Sequence, residues 1–219
     1  MERLSSKLFF NLDSFEHTSL FLEGQPAWHA LKRLKEYLDS LPLGKIACDI
    51  PPNVTLVSPN HISIGEGTII QSGAYIEGPC VIGKNCEVRH GAFVRPYVLT
   101  GDGCVIGHAT EAKHAIFLNG SKAPHFNYVG DSILGNDVNL GAGVICANFR
   151  LDQKAVPVCV EGEKFSTGLK KLGAIIGDKS KLGCNAVLNP GVLLKKRSLI
   201  RSLASISDSN IKLERRSHD

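Results

Sequence analysis

Arg95 and Lys113 stand eighteen residues apart, so on a scaffold whose period divides eighteen they would stack on one face as two cations able to hold a phosphate. Near them lie Glu111, then the stretch Ser121-Lys122-Ala123-Pro124-His125-Phe126-Asn127-Tyr128, then Asn139 and Asn148. A histidine in such company could act as a base, or could be a loop residue beside a proline. A second set competes for the chemistry. His90 and His108 are also eighteen apart and His114 follows one hexad later, three histidines that could surround a zinc ion with one position left open.

Only a repeat would bring such distant residues together, and the chain has one. From Ile64 an aliphatic residue returns every sixth position, at Ile70, Ile76, Ile82, Val88, Val94, Ile106 and Leu118, with Thr100 and Ala112 out of character. The beat resumes at Ile176, Leu182, Leu188, Leu194, Ile200 and Ile206. A period of six fits neither the turn of a helix, about 3.6 residues, nor the alternation of a half-buried strand; it marks a hexapeptide β-solenoid with one strand and one turn per hexad. Four residues after each beat sit Thr68, Ala74, Cys80, Cys86, Ala92, Val98, Cys104 and Thr110, small enough for a narrow prism. Three hexads close one triangular coil, and coils stacked about 4.8 Å apart bury a continuous core. The fold class expected is all-β, with a short N-terminal helical cap.

Residues 1–45 lack the beat. Gln25-Pro26 introduces Ala27 to Leu38, with Trp28, Leu31, Leu34 and Leu38 on one side, the pattern of an amphipathic helix begun by a proline. This segment is expected to cover the open end of the solenoid, where a strand edge would otherwise be bare. Residues 46–207 form the solenoid, with a phase slip between Leu118 and Leu134 placed at Ser121 to Tyr128, and with a loop insertion over 147–172. Departures from a repeat are loops pushed out of one face, where sites are commonly built. Residues 208–219 read as a polar tail.

The bulk composition excludes other classes. In 219 residues the chain is 43% hydrophobic and only 6% aromatic, and it holds 22 glycines, which suits a solenoid better than a conventional globule. No apolar run would span a bilayer or serve as a signal-peptide core, so no membrane partner and a cytoplasmic location are expected. Seven cysteines include no CxxC pair, and three occupy the small inward slot, where a free thiol packs as a small hydrophobe. The net charge of +4 comes without a basic stripe interleaved with aromatics, so nucleic acid is not expected, whereas a small anionic ligand is.

Three motifs are more selective than the hexads: Gly120-Ser121-Lys122-Ala123-Pro124-His125 with Tyr128, Val138-Asn139-Leu140-Gly141-Ala142-Gly143, and Thr167-Gly168-Leu169-Lys170-Lys171-Leu172-Gly173. Over about Ile64 to Gly191 the chain resembles the acetyltransferase domain of the bifunctional glucosamine-1-phosphate acetyltransferase/N-acetylglucosamine-1-phosphate uridylyltransferases, and more closely that of the archaeal sugar-1-phosphate nucleotidylyltransferase/acetyltransferases. The resemblance implies a left-handed parallel β-helix, an acetyl-CoA dependent N-acetyltransferase acting on a hexosamine 1-phosphate, and a homotrimer with sites between adjacent prisms. It implies no metal.

By the same resemblance His125 matches the general base, Glu111 the carboxylate that orients it, and Asn148 a residue near the acetyl group. Arg95, Lys113, Tyr128, Asn139 and Lys154 match positions that hold the sugar phosphate. The backbone N–H of Ala142 matches a donor to the thioester oxygen, Cys184 stands where the family often has serine, and Lys170 and Lys171 either contact coenzyme A phosphates or solvate the loop. The nucleotidylyltransferase domain is expected to be missing, since about 45 residues before the solenoid cannot hold it. Two other readings stand beside this one: a non-catalytic sugar-nucleotide-binding or scaffold solenoid, and a γ-class carbonic anhydrase-like zinc enzyme, whose paired histidines five apart are absent.

Overall fold

The computed structural model describes residues 4–207 and 209. Strands Thr55–Val57, Ile62–Ile64 and Ile69–Ile70 open the first, second and third faces of a triangular prism. The chain then visits the faces in the same order turn after turn, stacking eight, seven and seven strands on them. Neighbouring turns pair in parallel, as Phe93 with Glu111 on the first face and Val98 with Ala115 on the second. The result is a β-solenoid of about eight turns, consistent with the left-handed β-helix that the resemblance implies.

The hexad pattern explains the core. Ile64, Ile70, Ile76, Ile82, Val88 and Val94 are all buried inside the prism, and so are the small slots from Thr68 to Thr110. Each such Ile or Val contributes roughly 1.5–3 kcal/mol by leaving water. All seven cysteines are free, and Cys80, Cys86 and Cys104 occupy the inward slot as expected.

The phase slip lies elsewhere than the sequence placed it. Phe93 pairs with Glu111 eighteen residues on, whereas Val98 pairs with Ala115 only seventeen on, so the corner Lys113-His114-Ala115 is one residue short. The corner Gly130-Asp131-Ser132 is equally short, because Lys113 pairs with Gly130 and Ile116 with Ile133. Phe117 therefore points into the prism and Leu118 points out, the reverse of the sequence assignment. Both corners turn through left-handed backbone, with φ of 46° at His114 and 48° at Asp131.

The N-terminal segment also differs from expectation. Its helix, His29–Ser40, buries Ala30, Leu31, Leu34 and Leu38, but it packs along the second face, and the residues that lie against the inner core at the first turn are Ile46, Cys48, Ile50 and Val54. Leu31, Leu34, Leu38, Trp28 and Phe9 share one core with the outward side chains Leu99, Ile116, Ile133, Ile175 and Leu193. The insertion contributes an antiparallel hairpin, Pro157–Val160 with Glu163–Ser166, whose Val158, Val160 and Phe165 join that core. Second-face strands such as Ala115–Phe117, Ala174–Ile176 and Val192–Leu194 are accordingly buried on both sides and apolar throughout. Hydrogen bonds pin the segment: the Asp178 N–H donates to the Phe9 carbonyl at 2.9 Å and the Asn11 N–H to Asp178 Oδ2 at 2.7 Å. Of the tail expected over 208–219, all but Ser209 lies outside the described residues. Among the described residues no helix is long and apolar enough to cross a membrane.

Candidate functional site

Four adjacent first-face strands, Phe93–Val94, Glu111–Lys113, Tyr128–Gly130 and Ile145–Cys146, carry five of the candidate residues on them or just after them: Arg95, Glu111, Lys113, Tyr128 and Asn148. Val94, Ala112 and Val129 point into the prism, so by strand alternation Arg95, Glu111, Lys113 and Tyr128 point out together. Arg95 Nη1 donates to Glu111 Oε1 at 2.9 Å, and Lys113 Nζ lies 3.6 Å from Asp131 Oδ2. Asn148 Nδ2 donates to the Tyr128 hydroxyl at 3.1 Å and to Asp131 Oδ2. These contacts cross Gly130: a Cβ built there would stand 2.6 Å from the Tyr128 hydroxyl and 2.7 Å from Asn148 Nδ2. Glycine is what lets the two side chains meet.

The electrostatics follow from this packing. Burial raises the Tyr128 phenol pKa, and the charges of Glu111 and Asp131 push the same way against Arg95 and the Asn148 bond. Burial works against ionisation of Asp131, yet His114, Lys113 and Asn148 together hold its carboxyl below the usual aspartate range.

His125 stands at the end of the third-face strand Lys122–His125, paired with His108 and exposed. Among the described residues its ring has no hydrogen-bond partner. Among the described residues no hydrogen bond joins Glu111 to the His125 ring: Glu111 Oε1 accepts from Arg95, and the Glu111 N–H reaches the carbonyl of Asn127, two residues from His125. His125 heads a column along the corner between the third and first faces: Gly143 N–H donates to the His125 carbonyl at 3.0 Å, and Asn185 N–H to the Ala142 carbonyl at 2.8 Å. His125, Ala142 and the exposed Cys184 therefore follow one another on successive turns. The Ala142 N–H donates to no described protein group.

Other candidates lie apart. Asn139 is on the third face, paired with Lys122 and Lys181, and points away from the first-face cluster. Lys154 is exposed in the insertion, its N–H on Asp152 Oδ1 at 3.2 Å. Lys170 is exposed as well, and Lys171 Nζ sits 5.9 Å from the Phe149 ring centre. A groove of about 550 Å³ between His17 and the corner Gly83-Lys84 contains none of the expected residues.

Sequence reasoning missed Asp131, and it gave His114 only a place in a zinc site. His114 Nδ1 lies 2.8 Å from Asp131 Oδ1; the seventeen-residue spacing of the two would have been the clue, had the slip been placed at His114. His90 and His108 do stack, with ring centres 5.7 Å apart and planes within 11°. Their Nδ1 atoms face the carbonyls of Ser72 and His90, however, and His114 sits at the opposite edge of the first face. Among the described residues no group of three or more His, Cys, Asp or Glu is placed to hold a metal ion.

A family model described as the GMPPB C-terminal domain matches residues 76–171. The bifunctional sugar-1-phosphate nucleotidylyltransferase/acetyltransferase of Sulfurisphaera tokodaii is 40% identical over 169 residues, which are 77% of this chain and 41% of the relative. Bifunctional protein GlmU of Methanococcus maripaludis is 37% identical over 191 residues, 87% of this chain and 45% of the relative. These bifunctional proteins are homologues of this chain. An uncharacterized acetyltransferase, YaiX of Escherichia coli, is 38% identical over 137 residues, 63% of this chain and 60% of the relative. The chain spans less than half the length of the two bifunctional homologues.

Proposed function

We propose that the solenoid of residues 46–207 is an acyltransferase that moves acetyl from acetyl-CoA to the amino group of a hexosamine 1-phosphate. The observation that carries this reading is the first-face cluster of Arg95, Glu111, Lys113, Tyr128 and Asn148 beside the column of His125, Ala142 and Cys184. The homologues, named as acetyltransferases, support it. Arg95 and Lys113 receive the phosphate. The neutral His125 ring takes a proton from the amine as nitrogen bonds to the acetyl carbon; the carbon–sulfur bond then breaks and the departing thiolate recovers the proton from the imidazolium. Ala142 N–H faces the carbonyl oxygen on which charge develops in between.

Asn139, if it contacts the same acceptor, must come from a neighbouring copy, because its own third face points elsewhere. The second face is already covered by the N-terminal segment and the hairpin. That leaves the first and third faces to meet around the site, as in a homotrimer.

The test is thiol release from acetyl-CoA against a panel of hexosamine 1-phosphates, repeated on His125→Ala. Turnover with at least one amino sugar and a loss of roughly a hundredfold or more in the variant are expected. Equal rates would remove His125 as the base, and no turnover on any acceptor would leave the scaffold reading.

A further inference from the structure

The resemblance assigns Asp131 no role, yet its carboxylate contacts three other side chains of the site region. We propose that Asp131 is a positioning residue of the acceptor site, holding Lys113 and Asn148 in place together, with His114 as its fixed donor. The proposal rests on the acetyltransferase reading in one respect, that Lys113 faces the phosphate and Asn148 the acyl group.

The two short corners create the arrangement. Seventeen positions apart, His114 and Asp131 occupy the same corner position on successive turns, both in left-handed backbone. The Asp131 side chain is 7% exposed. Its Oδ1 is 2.8 Å from His114 Nδ1, and its Oδ2 accepts from Asn148 Nδ2 and lies 3.6 Å from Lys113 Nζ. Its backbone closes the same knot: the N–H donates to the Lys113 carbonyl at 3.0 Å, and the carbonyl accepts from Gly173 N–H at 2.8 Å. Asn148 is where the chain leaves the solenoid for the insertion and Gly173 is where it returns. One residue therefore fastens the Lys113 strand to both ends of the insertion.

A buried carboxylate with this many donors has little freedom. A lysine and an asparagine on an open face would otherwise sample several rotamers, and ordering them would weaken ligand binding. Bonding to Asp131 orders them before a ligand arrives. This role has an unusual sign. A negative charge beside Lys113 opposes anion binding on Coulomb grounds, so a merely electrostatic Asp131 predicts that Asp131→Asn binds anions more tightly. Positioning predicts weaker binding.

The experiment measures inorganic phosphate binding by titration calorimetry on the full chain, together with acceptor KM and kcat, for wild type and Asp131→Asn. Expected are weaker phosphate binding and an acceptor KM raised about tenfold, with lower kcat as Asn148 loosens and an unchanged KM for acetyl-CoA; loss of one hydrogen bond to a charged group is worth about that factor or more. His114→Leu should shift binding the same way, and His114→Asn, which keeps a donor and tolerates left-handed backbone, should recover part of the loss. If Asp131→Asn does not fold, the two His114 variants make the same comparison. Phosphate held as tightly or more tightly by Asp131→Asn, no difference between the His114 variants, or no phosphate binding by wild type would each overturn the proposal. Failure of the acetyltransferase reading is separate: wild type would turn over no hexosamine 1-phosphate, and phosphate binding alone would then judge Asp131.

Discussion

The Glu111 carboxylate accepts a hydrogen bond from Arg95 at 2.9 Å, while the ring of His125 has no hydrogen-bond partner among the described residues. If Arg95 receives the acceptor's phosphate as proposed, that phosphate would compete with Glu111 for the guanidinium and free the carboxylate to orient the imidazole. The acceptor's phosphate would thereby help to assemble the base. Unphosphorylated hexosamine is expected to lose kcat as well as affinity, and Glu111→Gln to lower kcat on the phosphorylated acceptor by roughly a hundredfold with little change in KM. Steady-state kinetics on both acceptors decide it; an unphosphorylated sugar that loses only affinity would remove the coupling.

Gly130→Ala tests the geometry of the cluster. The added methyl would meet the Tyr128 hydroxyl at 2.6 Å and Asn148 Nδ2 at 2.7 Å, so one of the two must rotate away. Activity should fall about tenfold or more, since small misplacements of site groups cost up to about a hundredfold, while the melting temperature drops only slightly. Unchanged kcat/KM would mean that the Tyr128–Asn148 contact has no part in the chemistry.

Leu34→Ala tests whether the N-terminal segment is integral to the fold. Leu34 is fully buried between the helix and the second face, so the substitution should destabilise the protein by about 2–5 kcal/mol, read as a lower urea midpoint. A surface-like change of less than about 0.5 kcal/mol would show that the segment is not packed as described.

The cysteines separate by chemistry. Burial pushes the thiols of Cys80 and Cys146 up to about 12, so at pH 8 neither forms thiolate to a useful extent. Cys184 is exposed in the column below Ala142. Peptide mapping after brief alkylation should find the label on Cys184 with Cys80 and Cys146 untouched, and acetyl-CoA should slow it. Labelling at an equal rate with and without acetyl-CoA would place the coenzyme away from Cys184.

The shared face of Arg95 and Lys113 was legible in the sequence. The eighteen-residue spacing of Arg95 and Lys113 was enough to stack them, because parallel coils put residues one period apart on the same face. What spacing could not locate was the slip. Leu118 kept the beat by coincidence, since an outward leucine under the N-terminal segment looks the same in a sequence as an inward one, and the true inward residue was its neighbour Phe117. The apolar runs Ala115-Ile116-Phe117 and Val192-Leu193-Leu194 were a readable sign of a face covered on both sides.

The sequence by itself determined the solenoid, its inward residues as far as Ala112 and again from Ile176 to Ile206, and the neighbourhood of the first-face cations, because a strict period of six permits only one way to bury its aliphatic set. Tertiary structure alone decided that the N-terminal helix lies on the flank, that Glu111 bonds Arg95, and that His114 meets Asp131. Those contacts depend on corner lengths and on packing between distant segments, and such geometry is set by three-dimensional closure of the chain, which no local pattern encodes.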